Sequence, residues 1–251
     1  MRDRNGSVTE HPILSPNGKR TAVLLPGTGS DEVFVRSVFE IPLAAVGVHA
    51  VLPAPRPGAG LGEAYLAELD AAAARSPDGI LAGGISFGAH LAAEWALRNP
   101  DRCTGLLLAL PAWHGDPGDS PAAVAARLAA DTVRAEGLES ALTSLTGSAD
   151  AWLAKELARA WRGYGDGLAD SLRAAADRPA PTLDDLATLD IPAGVAGCPD
   201  DQVHPLTVAQ DWTKALNRAE LRTTRLDIIG ADPEALGRAT VLAWIRASGL
   251  A

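Results

Sequence analysis

The chain has 251 residues, 47% of them apolar, and this size and composition suit one large domain with a substantial core. Its formal net charge is −9 at pH 7, and no run of Lys or Arg offers a binding surface for nucleic acid or an anionic membrane. No segment reaches the roughly 18 consecutive apolar residues of a membrane-spanning helix. We therefore expect a cytoplasmic protein with a single domain over residues 1–251 and a small-molecule partner.

The two cysteines, Cys103 and Cys198, lie in apolar, strand-like surroundings without the Cys or His spacing of a metal or redox site. We expect both to be buried thiols. No phosphate-loop Lys or dinucleotide fingerprint follows the glycine-rich segment near residue 27, and nothing in the sequence calls for a metal or an organic cofactor.

Short apolar segments without alternation predict strands that are covered on both faces. They are Thr21 to Leu25, Val48 to Leu52, Gly79 to Ala82, Gly105 to Leu110, Ala193 to Ala196 and Leu221 to Ile229. Helical patterns separate them at Glu63 to Ala74, His90 to Leu97, Leu206 to Leu216 and Pro233 to Ile245. This alternation predicts an α/β fold with a doubly wound, mostly parallel sheet.

Two segments depart from the alternation. The pair Asn17-Gly18 is a tight-turn signal and predicts an N-terminal hairpin at one edge of the sheet. From about Gly115 to Pro181 the sequence carries several helical patterns and no convincing strand. We interpret this second segment as a helical cap inserted into the domain.

The strongest chemical signal is Gly84-Ile85-Ser86-Phe87-Gly88, a GxSxG motif between a predicted strand and a predicted helix. A strand that turns sharply into a helix holds the serine in a strained conformation, and small neighbours prevent clashes there. The motif therefore predicts a nucleophile elbow that presents Ser86.

On this motif and its context the chain resembles the α/β-hydrolase superfamily, from Thr21 to the C-terminal helix. In that family the loop after an earlier strand supplies an oxyanion N–H, and the equivalent segment here runs from Leu25 to Asp31. The resemblance implies that the backbone N–H groups of Thr28 and Phe87 form an oxyanion hole.

The segment Gly197 to Pro205 resembles the family's acid loop, in which an aspartate orients the catalytic histidine. Asp200 matches the position of the acid, with Asp201 as the reserve; both could also be ordinary turn residues. The family's histidine follows the last strand, but this chain has no histidine after His204. The usual base is therefore relocated or absent.

Other histidines could replace the missing base. His204 lies on the acid loop, and His114 stands at the carboxyl edge of the sheet, where it could be a base or a ligand contact. His90 follows Ser86 by four residues and is expected to be structural, as are His11 and His49.

The aromatic residues Trp113, Trp152 and Trp161 could line a pocket for an apolar or acyl group, or could simply pin the cap helices together. The sequence thus predicts a serine hydrolase of the esterase or thioesterase kind, acting on an ester, thioester or amide of a small apolar molecule. In this hypothesis Ser86, Asp200 and His204 are catalytic and His114 contacts substrate. The alternative is a non-hydrolytic member of the fold with a degenerate triad that binds a small molecule.

Overall fold

The computed structural model describes residues 20–148 and 150–250. Their strands form one six-stranded sheet in the order β2-β1-β3-β4-β5-β6, and every neighbouring pair is parallel. The strands are β1 (Arg20–Leu25), β2 (Val48–Val51), β3 (Ile80–Ile85), β4 (Cys103–Ala109), β5 (Ala193–Gly197) and β6 (Ala219–Thr223). The predicted hairpin at Asn17-Gly18, and His11 with it, lie outside the described residues.

Helices cover both faces of the sheet, as the alternating pattern predicts. They are α1 (Glu32–Ala44), α2 (Leu61–Arg75), α3 (Phe87–Arg98), α4 (Pro121–Glu136), α5 (Leu138–Ser148), α6 (Ala151–Tyr164), α7 (Leu168–Asp177), α8 (Leu183–Leu186), α9 (Leu206–Ala215), α10 (Leu226–Ala231) and α11 (Glu234–Ala247). One apolar cluster packs α1 and α11 on one face, and a larger one joins α2, α3, α9 and helices α4 to α7 on the other. The doubly wound α/β architecture is confirmed.

Helices α4 to α7 lie between β4 and β5, within the segment predicted as a helical insertion. Between residues 115 and 181, the described part of the chain contains no strand.

The predicted strand Leu221 to Ile229 is wrong in its second half. Strand β6 ends at Thr223, and the apolar residues that follow form the short helix α10. An apolar run of this length does not distinguish a strand from a buried helix, because both need only a covered face.

The order of the strands creates a crevice at the carboxyl ends of β1 and β3. After β1 the chain moves to β2 on one side, and β3 then returns to the other side of β1. Loops that leave β1 and β3 therefore diverge, and such a switch point is where ligands bind in open α/β sheets.

Candidate active site

Ser86 occupies the sharp turn between β3 and α3. Its φ of +53° and ψ of −112° are sparsely populated for a residue with a side chain, so the elbow is strained. The flanking glycines follow from the close approach of β1: a Cβ added to Gly84 or Gly88 would lie 2.4 or 2.2 Å from the carbonyl oxygen of Leu25. The predicted geometry of the GxSxG motif is thus present.

The turn after β1 lies beside the elbow. A Cβ on Gly27 would be 3.5 Å from the Cβ of Ser86, and the turn is closed by a 3.0 Å hydrogen bond from the Ser30 N–H to the Gly27 carbonyl. Within the described ranges, the N–H groups of Thr28 and Phe87 have no protein acceptor. Both groups can therefore donate to an oxygen atom of a ligand.

The imidazole of His204 bridges Ser86 and Asp201. Its Nε2 atom lies 3.0 Å from the Ser86 Oγ atom, and its Nδ1 atom lies 2.8 Å from the Asp201 Oδ2 atom. All three side chains are largely buried, with Ser86 6% exposed. The three groups form the hydrogen-bond chain that nucleophilic catalysis by serine requires.

The carboxylate of Asp201 fixes the tautomer of His204. Burial acts to raise the pKa of Asp201, but the hydrogen bond and charge of His204, with the N–H groups of His204 and Val203, hold it below its usual value. The carboxylate is therefore ionised at neutral pH, so Nδ1 carries the imidazole proton and donates it. The Nε2 atom is left as an acceptor for the Ser86 hydroxyl.

The structure does not bring Asp200, which was expected to orient the base, to the imidazole of His204. The Asp200 carboxylate accepts the N–H of Leu226 at 3.2 and 3.3 Å and pairs with Arg225 at 3.6 Å, on the segment after β6. Asp201 instead turns back over its own loop, where its Oδ1 atom accepts the N–H groups of Val203 and His204 at 2.8 and 3.0 Å. This Asx turn brings its second oxygen to the imidazole.

His90 is buried beside the loop after β4, in keeping with the structural role expected for it. Its Nε2 atom accepts the Ala112 N–H at 3.0 Å, and its ring packs edge-on against Trp113, with centroids 4.5 Å apart. Burial, aided by the nearby His204, lowers the pKa of His90 to about 3, so the ring is neutral. Neither His114 nor His49, both exposed, has a hydrogen bond to Ser86 in the described part of the chain.

The three tryptophans expected at the pocket pack against different elements. Trp161, on α6, is buried against Gly29 in the turn beside Ser86. Trp152 stacks on Phe34 at 6.4 Å between centroids, and Trp113 packs on His90. All three indole N–H groups are buried without a protein acceptor among the described residues.

Cys103 and Cys198 are buried free thiols, as predicted, and burial raises the pKa of each to about 12. In the ranges that the structure describes, no three His, Cys, Asp or Glu side chains are grouped to hold a metal ion. None of the helices described combines the length and apolar composition needed to cross a bilayer.

A parallel sheet with a strained serine at a strand-to-helix turn is characteristic of the α/β-hydrolase fold. Solved structures agree: the chain resembles a thermophilic esterase from Thermogutta terrifontis (TM-score 0.71, 19% identity, 90% of this chain and 89% of that chain). It also resembles a structure from work on carboxylesterases of Nitrososphaera gargenis (TM-score 0.74, 12% identity, 93% of this chain and 92% of that chain). A third similar structure is the enol-lactonase from Burkholderia xenovorans LB400 (TM-score 0.67, 16% identity, 91% of this chain and 92% of that chain).

The chain therefore has the α/β-hydrolase fold over about nine tenths of its length. Scans against family models and curated proteins matched nothing. At these low identities the similarity establishes the fold, and the chemistry has to be argued from the site.

Proposed function

We propose that the protein is a serine hydrolase that cleaves an ester, thioester or amide of a small apolar molecule. Ser86 is the nucleophile, His204 the general base and Asp201 the carboxylate that orients the base. The observation that carries the proposal is the continuous hydrogen-bond chain from Ser86 Oγ through His204 to Asp201, with distances of 3.0 and 2.8 Å. A serine hydroxyl is a weak nucleophile alone, and such a chain activates it.

The reaction follows from this arrangement. As Ser86 Oγ bonds to the carbonyl carbon, His204 Nε2 takes the hydroxyl proton, and the Thr28 and Phe87 N–H groups stabilise the negative oxygen. When the tetrahedral intermediate collapses, the protonated imidazole gives its proton to the departing alcohol, thiol or amine. A water molecule, deprotonated by the same imidazole, then attacks the acyl-Ser86 ester; the bond from the acyl carbon to Ser86 Oγ breaks, the imidazole returns the proton to Ser86 Oγ, and the acid is released.

The choice between hydrolysis and binding alone depends on the base. The binding hypothesis drew its support from the lack of a histidine after the last strand, and the contact between His204 and Ser86 removes that reason. The esterase and lactonase among the similar structures favour ester chemistry. The indole of Trp161, packed on Gly29 in the turn after β1 that lies beside Ser86, favours an apolar acyl group.

The test is labelling with a fluorophosphonate probe followed by measurement of intact mass. We expect wild type to gain one probe adduct, Ser86→Ala and His204→Ala to gain none or react far more slowly, and the exposed-histidine control His114→Ala to label like wild type. Folding of each variant is checked by circular dichroism. A well-folded wild type that never labels would contradict the proposal and favour the binding hypothesis.

A further inference from the structure

Helix α6 is joined to the turn after β1 by a paired ion contact. The two terminal nitrogens of Arg159 donate to the two carboxylate oxygens of Asp31, at 2.8 Å to Oδ2 and 2.6 Å to Oδ1. The same carboxylate caps α1, since its Oδ1 atom accepts the N–H groups of Val33 and Phe34 at 3.0 and 3.2 Å. A second acid, Glu156, which lies on α6 itself, also pairs with Arg159. The guanidinium is thereby held in one orientation against the turn.

Two further side chains of α6 reach neighbouring residues of the turn. The hydroxyl of Tyr164 donates to the Ser30 carbonyl at 2.6 Å. The indole of Trp161 covers Gly29, where an added Cβ would lie 2.5 Å from the indole nitrogen. Helix α6 therefore contacts three consecutive residues, from Gly29 to Asp31.

These contacts act on the segment that carries a proposed oxyanion donor. Thr28 directly precedes the three clamped residues, and Gly27 packs beside Ser86. Gly29 has a φ of +68°, so the turn depends on a residue with little conformational preference of its own. The contacts from α6 add to the hydrogen bond from the Ser30 N–H to the Gly27 carbonyl that closes the turn.

We infer that Arg159 is a positioning residue, which holds Asp31 and the adjoining turn so that the Thr28 N–H is aligned with the oxyanion of the reacting acyl group. The inference rests on the proposed hydrolase function. The guanidinium acts through the backbone and does not touch the substrate. Because hydrogen-bond donors stabilise a transition state only when they are preorganised, a small displacement of Thr28 reduces the rate.

A role in stability alone is the competing explanation. The Arg159 side chain is 40% exposed, and ion pairs at such positions contribute little to the free energy of unfolding. The two roles differ in what they change: alignment of an oxyanion donor affects kcat and the binding of transition-state analogues, whereas a stabilising contact affects the melting temperature.

The experiment compares Arg159→Gln and Arg159→Lys with Arg162→Gln, which removes an exposed arginine from the same helix. Kinetics with a p-nitrophenyl ester give kcat and KM, and inhibition by an alkyl boronic acid, whose adduct with Ser86 mimics the tetrahedral intermediate, gives Ki. We expect Arg159→Gln to lower kcat about tenfold, less than the roughly hundredfold or greater loss from deletion of an oxyanion donor. KM should stay within about twofold, while Ki rises in parallel with the fall in kcat.

Arg159→Lys should lower kcat and raise Ki nearly as much as Arg159→Gln does, because an ammonium group cannot form the paired contact with the carboxylate. Adding Asp31→Asn to Arg159→Gln should cause little further loss if the pair acts as one unit. A lower melting temperature with unchanged kcat and Ki would overturn the inference in favour of a stability role. A raised KM with unchanged kcat would overturn it in favour of substrate binding, and a wild type that neither labels nor hydrolyses would instead refute the underlying hydrolase proposal.

Discussion

Asp201 and His204 are three residues apart on one loop, and their side chains pair there at 2.8 Å between Oδ2 and Nδ1. In most proteins of this fold the acid and the histidine come from loops after different strands. Here the same aspartate also accepts the backbone N–H of His204, so it fixes both the main chain and the ring of the proposed base. The segment after β6, where α/β-hydrolases usually carry the histidine, forms α10 in this protein.

The neighbouring aspartates provide a matched pair of variants. We expect Asp201→Asn to lower kcat by about 10³–10⁴-fold, because the amide no longer holds the imidazole in the tautomer that accepts from Ser86. Asp200→Asn should stay within about threefold of wild type, since its carboxylate contacts the Leu226 N–H and not the imidazole. Steady-state kinetics on a p-nitrophenyl ester measure both. Equal losses in the two variants would show that His204 is not oriented by Asp201 alone.

Removal of the imidazole tests the proposed base directly. We expect His204→Ala to lower kcat by at least about a hundredfold, the lower end of what general base catalysis contributes. Because the His204 side chain is 18% exposed, dissolved imidazole has a path to the vacated position and should restore part of the rate. His114→Ala, which removes an exposed histidine, is the control for both measurements. Activity of His204→Ala equal to wild type would exclude His204 as the base.

Local sequence signals were sufficient to predict the sheet and the strained turn at Ser86. A buried parallel strand is marked by a short apolar run, and the requirement for Gly84 and Gly88 beside Ser86 arises from contacts within one strand-turn-helix unit and its neighbour β1. The end of β6 could not be predicted in this way. Ile229 is buried and Ile228 exposed, a pattern that arises equally on a strand and on a helix turn.

The sequence could not predict the hydrogen-bond partners of the site residues, because these depend on the direction in which each side chain points. Asp200 and Asp201 are adjacent and chemically identical, and only the Asx turn distinguishes the one that faces His204. The spacing from Asp201 to His204 was the available signal, since an aspartate can cap the N–H groups two and three residues later. The contact between Asp31 and Arg159 joins residues 128 apart in sequence, and no local pattern reports it.

The elbow leaves no room for a side chain at Gly88. Gly88→Ala would place a methyl group 2.2 Å from the Leu25 carbonyl oxygen and 2.8 Å from that of Pro26, so β1 and α3 would have to separate. We expect a loss of more than about 3 kcal/mol in the free energy of unfolding, measured by urea denaturation.

The control is Gly163→Ala near the end of α6, where an added Cβ meets nothing within 4 Å. It should be neutral or stabilise the protein by up to about 1 kcal/mol, because alanine favours the helix. A Gly88→Ala variant as stable as wild type would contradict the close approach of β1 to the elbow.

The ion pair between Asp31 and Arg159 should make stability depend on pH. Burial acts to raise the pKa of Asp31, but hydrogen bonds from Arg159 and from the Phe34 and Val33 N–H groups outweigh it and hold the pKa below 3.8. A carboxyl whose pKa is lower in the folded state contributes its full stability above the unfolded value, and this contribution is lost as the pH falls through the folded pKa. Asp31→Asn keeps an oxygen to cap α1 but loses the charge. Wild type should therefore exceed this variant by about 1 kcal/mol above pH 5, and the partly exposed ion pair supplies only part of this difference.

The difference between wild type and Asp31→Asn should shrink steadily below about pH 4 in urea denaturation, as Asp31 becomes protonated. Asp232→Asn, which breaks the exposed pair with Arg238, is the control and should show a much smaller difference. A difference that stays constant down to pH 3 would mean that the charge of Asp31 does not stabilise the fold. The contact between Asp31 and Arg159 would then affect catalysis only, by placing the turn that carries the Thr28 N–H. The kinetics of the Arg159 variants would be the measurement that detects it.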